Sequence, residues 1–406
     1  MTGAVGAGVG VPAGAGGKVD VAPLIEAIEA CYENGWTDGL PVVPPAPALV
    51  EAFLETTRRS PDEVIWRMPQ VYRSCTVKLA AINAVMAGCR PEYFPVVLAA
   101  LEATVDEGWP GTGGWQSTTG GGPIHIVNGP VRDALGFNST GNVFGPGFRP
   151  NATVGRAIRL IIMNVYGIRP HELDQSTQGT PSKYTCCIAE NEEESPWAPL
   201  HVDLGFSPEE SAVSAMHIRS CEFVDNRLSA RAEHLLGDIA DTIGRTGTVI
   251  RPSKRCLVVL GPEHAQAIAA GGFSKADVKA YLVEHAGRRA SDLRPAGKDG
   301  VRVHRSDGDA AAYGSRHERS RPATEEEAAE AGDAWVPMVD SPDDLVVVVA
   351  GARNAGISAV CHTLGFPKNV PGRAPVEVPS QSAAAGQPGA TSTTARPTIS
   401  PRSNAS

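Results

Sequence analysis

Cys256-Leu257-Val258-Val259-Leu260-Gly261-Pro262-Glu263-His264-Ala265-Gln266-Ala267-Ile268-Ala269-Ala270 is the stretch that decides the fold class. Five apolar residues in a row, ended by Gly-Pro, predict a strand covered on both faces, and alanine-rich sequence then predicts a helix. Pro262 suits the first helical turn, where its missing N–H is not needed. Ser274 is placed to cap a second helix over 275–286, and Leu345 to Ala350 is another apolar strand running into Gly351. Strand, glycine and helix in that order point to a small parallel α/β domain.

Upstream, the spacing predicts helices over 21–32, 48–56, 76–88 and 91–106. Between the first two, Trp36 to Pro45 is too proline-rich for a helix or a central strand, and reads as an extended connector. Strands are expected at Ile124–Val127, Tyr184–Ala189 and Ala212–Ile218. Helices are expected at Val131–Leu135 and over 152–166, the latter with Asn151 as N-cap and Val154, Ile158, Ile161 and Val165 as its apolar stripe. The whole is α/β: an α+β first domain over 20–250, then the small parallel α/β domain over 251–287 and 335–371. A disordered arm over 1–19, a charged, Gly/Ala-rich insertion over 288–334 and a low-complexity tail over 372–406 complete the expected organisation.

The chain has 406 residues and a formal net charge of −9, which argues against a nucleic-acid partner. No run of about 18 apolar residues suggests a membrane span. The glycine-rich N-terminus lacks the basic flank and apolar core of a signal peptide, so a cytoplasmic location is expected. The eight cysteines, at 31, 75, 89, 186, 187, 221, 256 and 361, form no C-x-x-C pair and read as reduced thiols.

Several strings together resemble an uncharacterised bacterial family: TDGLPVVPP (37–45), AINAVMAGCRPEYFPVVLAA (81–100), HIVNGPVRDALGFNS (125–139), FGPGFRPNATVGRAIRLIIMN (144–164) and CIAENEEESPW (187–197). That family is associated with genes for small proteins carrying a selenocysteine-Gly-Ser-Cys or Cys-Gly-Ser-Cys motif. The resemblance spans residues 21–286 and, more weakly, 344–351. It carries no reaction with it; what it implies is thiol or selenol chemistry nearby, including a thiol or selenol protein partner. The sequence departs from the family pattern at Cys186, at Ala215-Met216-His217 and through its last third.

Candidate catalytic residues are Cys187, Cys89, Glu190, His201 and His125. Alternation along a strand lets only one of Cys186 and Cys187 face a pocket. The expectation is that Cys187 faces it while Cys186 packs with Tyr184. Cys89 becomes a thiolate if it lies at the N-terminus of the helix opened by Pro91, and an inert core thiol if it ends the preceding stripe. Glu190, nearest the strand in the acidic run 190–194, is the candidate base. His201 and His125 are candidate proton carriers, although alternation puts His125 opposite Ile124 and Ile126, and a lone strand histidine is more often a satisfied core residue.

Candidate binding residues are Asn128, Gly129, Asn138, Gly145, Gly147, Arg149 and Asn151. Glycine lets the backbone approach a ligand, the amides read carboxylate or amide groups, and Arg149 adds a positive charge. Neither a dinucleotide fingerprint nor a P-loop is present, so no nucleotide cofactor is expected. The cofactor is left open, with a mononuclear metal on Cys89, Cys187 and a histidine as one option. These features favour a thiol-dependent enzyme acting on a small anionic substrate, by C–S or C–N bond chemistry or thiol redox. The alternatives are a non-catalytic subunit or carrier that docks a thiol partner, and a metal-dependent lyase or hydratase.

Overall fold

The computed structural model describes residues 22–106, 114–248, 255–296, 298, 301–303, 319–321, 326, 332–363 and 372–377. The expected arm over 1–19, most of the insertion and the tail beyond 377 lie outside these residues. The mixed helices and strands make this an α/β fold.

The chain opens with α1 (Ala22–Glu33) and α2 (Pro47–Leu54), then a hairpin of β1 (Val64–Met68) and β2 (Arg73–Thr76). Thr76 accepts a hydrogen bond from Leu79 N and so caps α3 (Val77–Ala87), which Gly88 ends in a left-handed conformation. A single 3-10 turn at Pro91–Tyr93 leads into α4 (Phe94–Asp106). β3 (Gly122–Asn128) and α5 (Val131–Leu135) follow, then α6 (Arg149–Asn164). α6 starts earlier than its apolar stripe suggests: Pro150 sits in its first turn, so Asn151 is inside the helix and not its cap. Its amide is used for tertiary bonds instead.

β4 (Cys187–Ala189) is shorter than expected: Tyr184, where the strand is expected to begin, is instead the helical C-cap of a 3-10 turn over Pro181–Lys183. After α7 (Leu200–Asp203) comes β5 (Ala212–Asp225), twice the length expected of it. α8 (Ala232–Gly244), β6 (Cys256–Leu260) and α9 (Pro262–Ala270) lead to α10 (Lys275–His285), which Ser274 and Asp277 close in a reciprocal capping box. β7 (Gly287–Arg289) and α11 (Ala290–Leu293) open the expected insertion. β8 (Val301–Val303) and β9 (Arg319–Arg321) pair within it, and β10 (Trp335–Pro337) returns antiparallel to β7. Last come β11 (Leu345–Val349), β12 (Ile357–Thr363) and β13 (Gly372–Pro375). β13 corrects the expectation of coil from Gly372: it pairs with β5, and Ala374 and Val376 are buried in the core.

A single mixed sheet, in the order β11-β6-β12-β5-β3-β4, runs through both parts of the chain. β6 and β11 are parallel, and so are β3 and β4. Only β6 runs through glycine into a helix, however. Past Gly351 the chain returns as β12, antiparallel to β6, so the small purely parallel unit expected from sequence is a mixed one. The sheet curls until its two edges meet. Asn191 N, just past β4, donates to Val349 O at 2.7 Å, and residues 138–139 bridge the rest, with Gly351 N donating to Ser139 O at 2.9 Å. Unpaired edge groups are thereby satisfied.

The two faces have different cores. One face carries Val127, Ala189 and Val213 against α3, α4 and α6, and Val258, Val347 and Val360 against α8, α9 and α10. The face inside the curl carries Ile124, Ile126, Ile188, Met216, Val259 and Val348, plugged by Leu200 and Leu204 from the α7 region and by Val143. Fully burying each such aliphatic side chain contributes about 1.5–3 kcal/mol. β5 joins the halves through a bulge: Ile218 pairs with Thr363 and Ser220 with His362, so Arg219 is the extra residue. This resets the alternation, and Cys221 turns into the curl where an unbroken strand would have turned it out.

Candidate functional site

Where β3 and β4 end, side by side, Asn128 and Glu190 meet. Asn128 Nδ2 donates to Glu190 Oε2 at 2.7 Å and to Glu192 Oε1 at 3.0 Å, and Gly129 N donates to Glu192 Oε1 at 2.8 Å. Leu200 N donates to Glu190 Oε2 at 2.8 Å, so the carboxylate caps α7. Arg132 closes the group from α5, donating to Gly129 O and Glu190 O and pairing with Glu192 and Glu193. His201, fully buried, holds Nδ1 3.9 Å from Glu192 Oε1. Among the described residues, Glu190 Oε1, Asn128 Oδ1 and both His201 ring nitrogens are buried without a hydrogen-bond partner. Burial pushes the Glu190 carboxyl up to about 7, against the Lys275 charge and the Leu200 and Asn128 hydrogen bonds. Of the residues singled out from sequence, the structure brings Asn128, Gly129, Glu190 and His201 together here; Glu192 and Arg132 complete the network.

Cys187, Cys89, Asn138, Asn151 and Arg149 form a second group. Asn151 Nδ2 donates to Asn138 O at 3.0 Å and Cys187 O at 3.2 Å, while its Oδ1 accepts from Asn138 N at 2.8 Å. Arg149 donates to Gly88 O and Cys89 O. All of these bonds engage backbone, and they lock the start of α6 to β4. The expectation that Cys187 faces the glycine-rich loop is overturned. Its sulfur packs in the helix-side core, whereas Val143 and Phe144 of that loop belong to the inside of the curl. Burial raises the Cys187 thiol far above its ordinary value and pushes Cys89 up to about 12. Both are proton-bearing thiols at neutral pH, and Cys89 is not the helix-terminus thiolate.

His125 is also a core residue. Its Nε2 lies 2.9 Å from Thr104 Oγ1, which itself donates to Ala100 O, so the ring nitrogen is the donor. Burial lowers His125 to about 4 and keeps it neutral. Among the described residues no group of three His, Cys, Asp or Glu side chains converges as a metal ligand set, so Cys89, Cys187 and a histidine do not form one.

Two cavities open on the inside of the curl. One, of about 400 Å³, sits beyond the carboxyl ends of β6 and β11 and is lined by Gly141–Gly145, Gly261 and Gly351. This is the place where open α/β sheets hold ligands. Gly145 lies in its wall; Gly147, at φ +123°, does not line it. The second, of about 510 Å³, shares Phe144 and Phe223 with the first and is lined by Cys186, Cys221, Arg219 and Ser220. Cys186 therefore turns toward a cavity, and Tyr184, expected to pack with it, is exposed. Cys221 lies directly across from Cys361 on β12. Cys221 is exposed and Cys361 is buried, so the proton stays on Cys361. Its hydrogen bond draws the Cys221 thiol below its ordinary value. Sequence reasoning missed this pair: the two cysteines are far apart in the chain, and the Arg219 bulge reverses the face that alternation predicts for Cys221.

Comparisons with protein-family models, with curated proteins and with solved structures return no match. Among the described residues no helix is long and apolar enough to cross a membrane.

Proposed function

We propose that the chain is a thiol-dependent enzyme of small-molecule metabolism whose nucleophile is Cys221. The observation that carries this reading is Cys221 on the wall of an open cavity, opposed across the sheet by the buried Cys361, with the exposed sulfur accepting a hydrogen bond from the buried one. A thiolate is the reactive form of cysteine, and this arrangement favours it on the exposed residue alone. Arg219 in the same wall suits an anionic substrate. In a redox cycle Cys221 attacks a substrate disulfide sulfur and releases one thiolate. Cys361 then displaces the second, leaving a Cys221–Cys361 disulfide, and two electrons pass to the substrate. A thiol or selenol protein of the kind implied by the sequence resemblance would return those electrons.

The test is alkylation of the native chain by iodoacetamide across a pH series, with each site quantified by mass spectrometry. Cys221 is expected to react first, with an apparent pKa below the ordinary thiol value of about 8.5, while Cys187 and Cys89 stay protected. If Cys221 titrates at or above the ordinary value, this assignment is wrong.

A further inference from the structure

Outside the curl, a cavity of about 550 Å³ lies between α6 and residues 170–184. Its charged wall is built from three groups. Arg159, on α6, donates through Nη2 to Asp174 Oδ2 at 3.1 Å, and Lys183 Nζ lies 2.6 Å from the same oxygen and 2.7 Å from Oδ1. Ser176 completes the carboxylate's shell, its backbone N–H and hydroxyl both donating to Oδ1. The side chains of Arg159, Asp174 and Lys183 are only 5%, 3% and 12% exposed.

The charges there do not balance. Asp38 also lines the cavity, but Arg156 holds it through two hydrogen bonds of 2.7 and 2.8 Å, so its charge is already matched. Two buried cations are left facing the single carboxylate of Asp174. Among the described residues Arg159 Nη1 has no hydrogen-bond partner. The excess is felt nearby: His217 is held down to about 3, first by burial and then by the charges of Lys183 and Arg159. An unmatched buried charge is costly, and one more anion would remove that cost. The remaining walls are rich in hydroxyl and amide groups, from Gln175, Thr177, Gln178 and Thr180, and the volume suits a small polar molecule.

We propose that this cavity is a second binding site, for a small oxyanion-bearing metabolite whose carboxylate or phosphate is held by Arg159 and Lys183. An internal ion triad that merely fastens the 170–184 segment would need only one cation on Asp174. A guanidinium and an ammonium on the same carboxylate, with Arg159 Nη1 still unpaired among the described residues and Lys183 Nζ engaged by Asp174 and Ser176, leave a positive charge and a free donor for a further acceptor. Residues 178–181 form a wall shared with the Cys186–Cys221 cavity. The anion site needs none of the cysteines, however, so it stands or falls separately from the thiol reading.

Titration calorimetry of the full chain with succinate and with inorganic phosphate, each against sodium chloride at matched ionic strength, tests it. One saturable site is expected. The tighter ligand of the two tells a carboxylate from a phosphate group. Lys183→Gln, which removes the second cation of the site, is expected to weaken binding about tenfold. Arg159→Lys, which keeps the charge but not the fork, is expected to weaken it as well. Because either variant could fold poorly, the wild-type chain supplies a second readout: bound anion should slow acylation of Lys183 by an amine-reactive ester and leave Lys275 unchanged. Non-saturable binding of both anions, unchanged affinity in both variants, or Lys183 acylation indifferent to the anion would each overturn the proposal.

Discussion

Replacing Glu190 with glutamine is expected to stabilise the protein at alkaline pH and leave it unchanged in mild acid. The folded chain holds this carboxyl fully buried, with its pKa pushed from 4.5 to about 7. Between those two values the native state therefore binds more protons than the unfolded state, and stability falls as pH rises. Each pKa unit corresponds to about 1.36 kcal/mol, so ionising Glu190 in place costs about 3 kcal/mol once the pH exceeds 7. Glutamine copies the neutral acid: its carbonyl can still accept from Asn128 Nδ2 and Leu200 N, and it carries no charge to strand. Urea unfolding of wild type and Glu190→Gln from pH 5 to 8.5 is the assay. The difference isolates this one group, since the other titrating residues are common to both proteins. The curves should nearly coincide at pH 5, separate by at most about 1.4 kcal/mol per pH unit, and level off above pH 7. A difference that is flat with pH, or a variant less stable than wild type at pH 8, would refute the account of Glu190 as a buried, proton-holding acid.

Other outcomes follow from the same geometry. Cys361→Ala should raise the apparent pKa of Cys221 alkylation toward the ordinary thiol value, because it removes the hydrogen-bond donor that faces the Cys221 sulfur; an unchanged pH profile would mean the opposed pair is not coupled. Cys187→Ser should leave Cys221 labelling untouched while lowering unfolding stability by about 1–3 kcal/mol, as a hydroxyl is left in packed hydrocarbon. Arg132→Met should cost about 3 kcal/mol in urea unfolding, since Glu192 loses its cation and Glu190 O a donor. Gly129→Ala should be among the most damaging single changes: the residue sits at φ +81°, and an added Cβ would lie 2.1 Å from Glu210 O, so soluble, normally folded Gly129→Ala would show that this turn is misread.

What the sequence could disclose depended on how local each determinant is. Cys256–Leu260 reads correctly because a fully apolar pentamer before Gly-Pro has few alternatives, and Ser274 caps α10 because its partner Asp277 lies three residues away. Glu190 could be separated from the rest of the acidic run because it alone abuts a strand end, where a carboxylate becomes buried. Asn151 shows where such reasoning ends: its type and position fit a cap, but Pro150 lets α6 begin a turn earlier and frees the amide for β4. For the cysteines the same limit decides the chemistry. Adjacent Cys186 and Cys187 draw attention because they are neighbours in sequence, yet neither is paired by the fold as Cys221 and Cys361 are. That pairing depends on strand register across the sheet and on one extra residue, Arg219. A bulge leaves no mark in local hydrophobic periodicity, because it is a property of two strands together. The same holds for Arg159, Asp174 and Lys183, each an ordinary surface-type residue until the chain folds them onto one carboxylate.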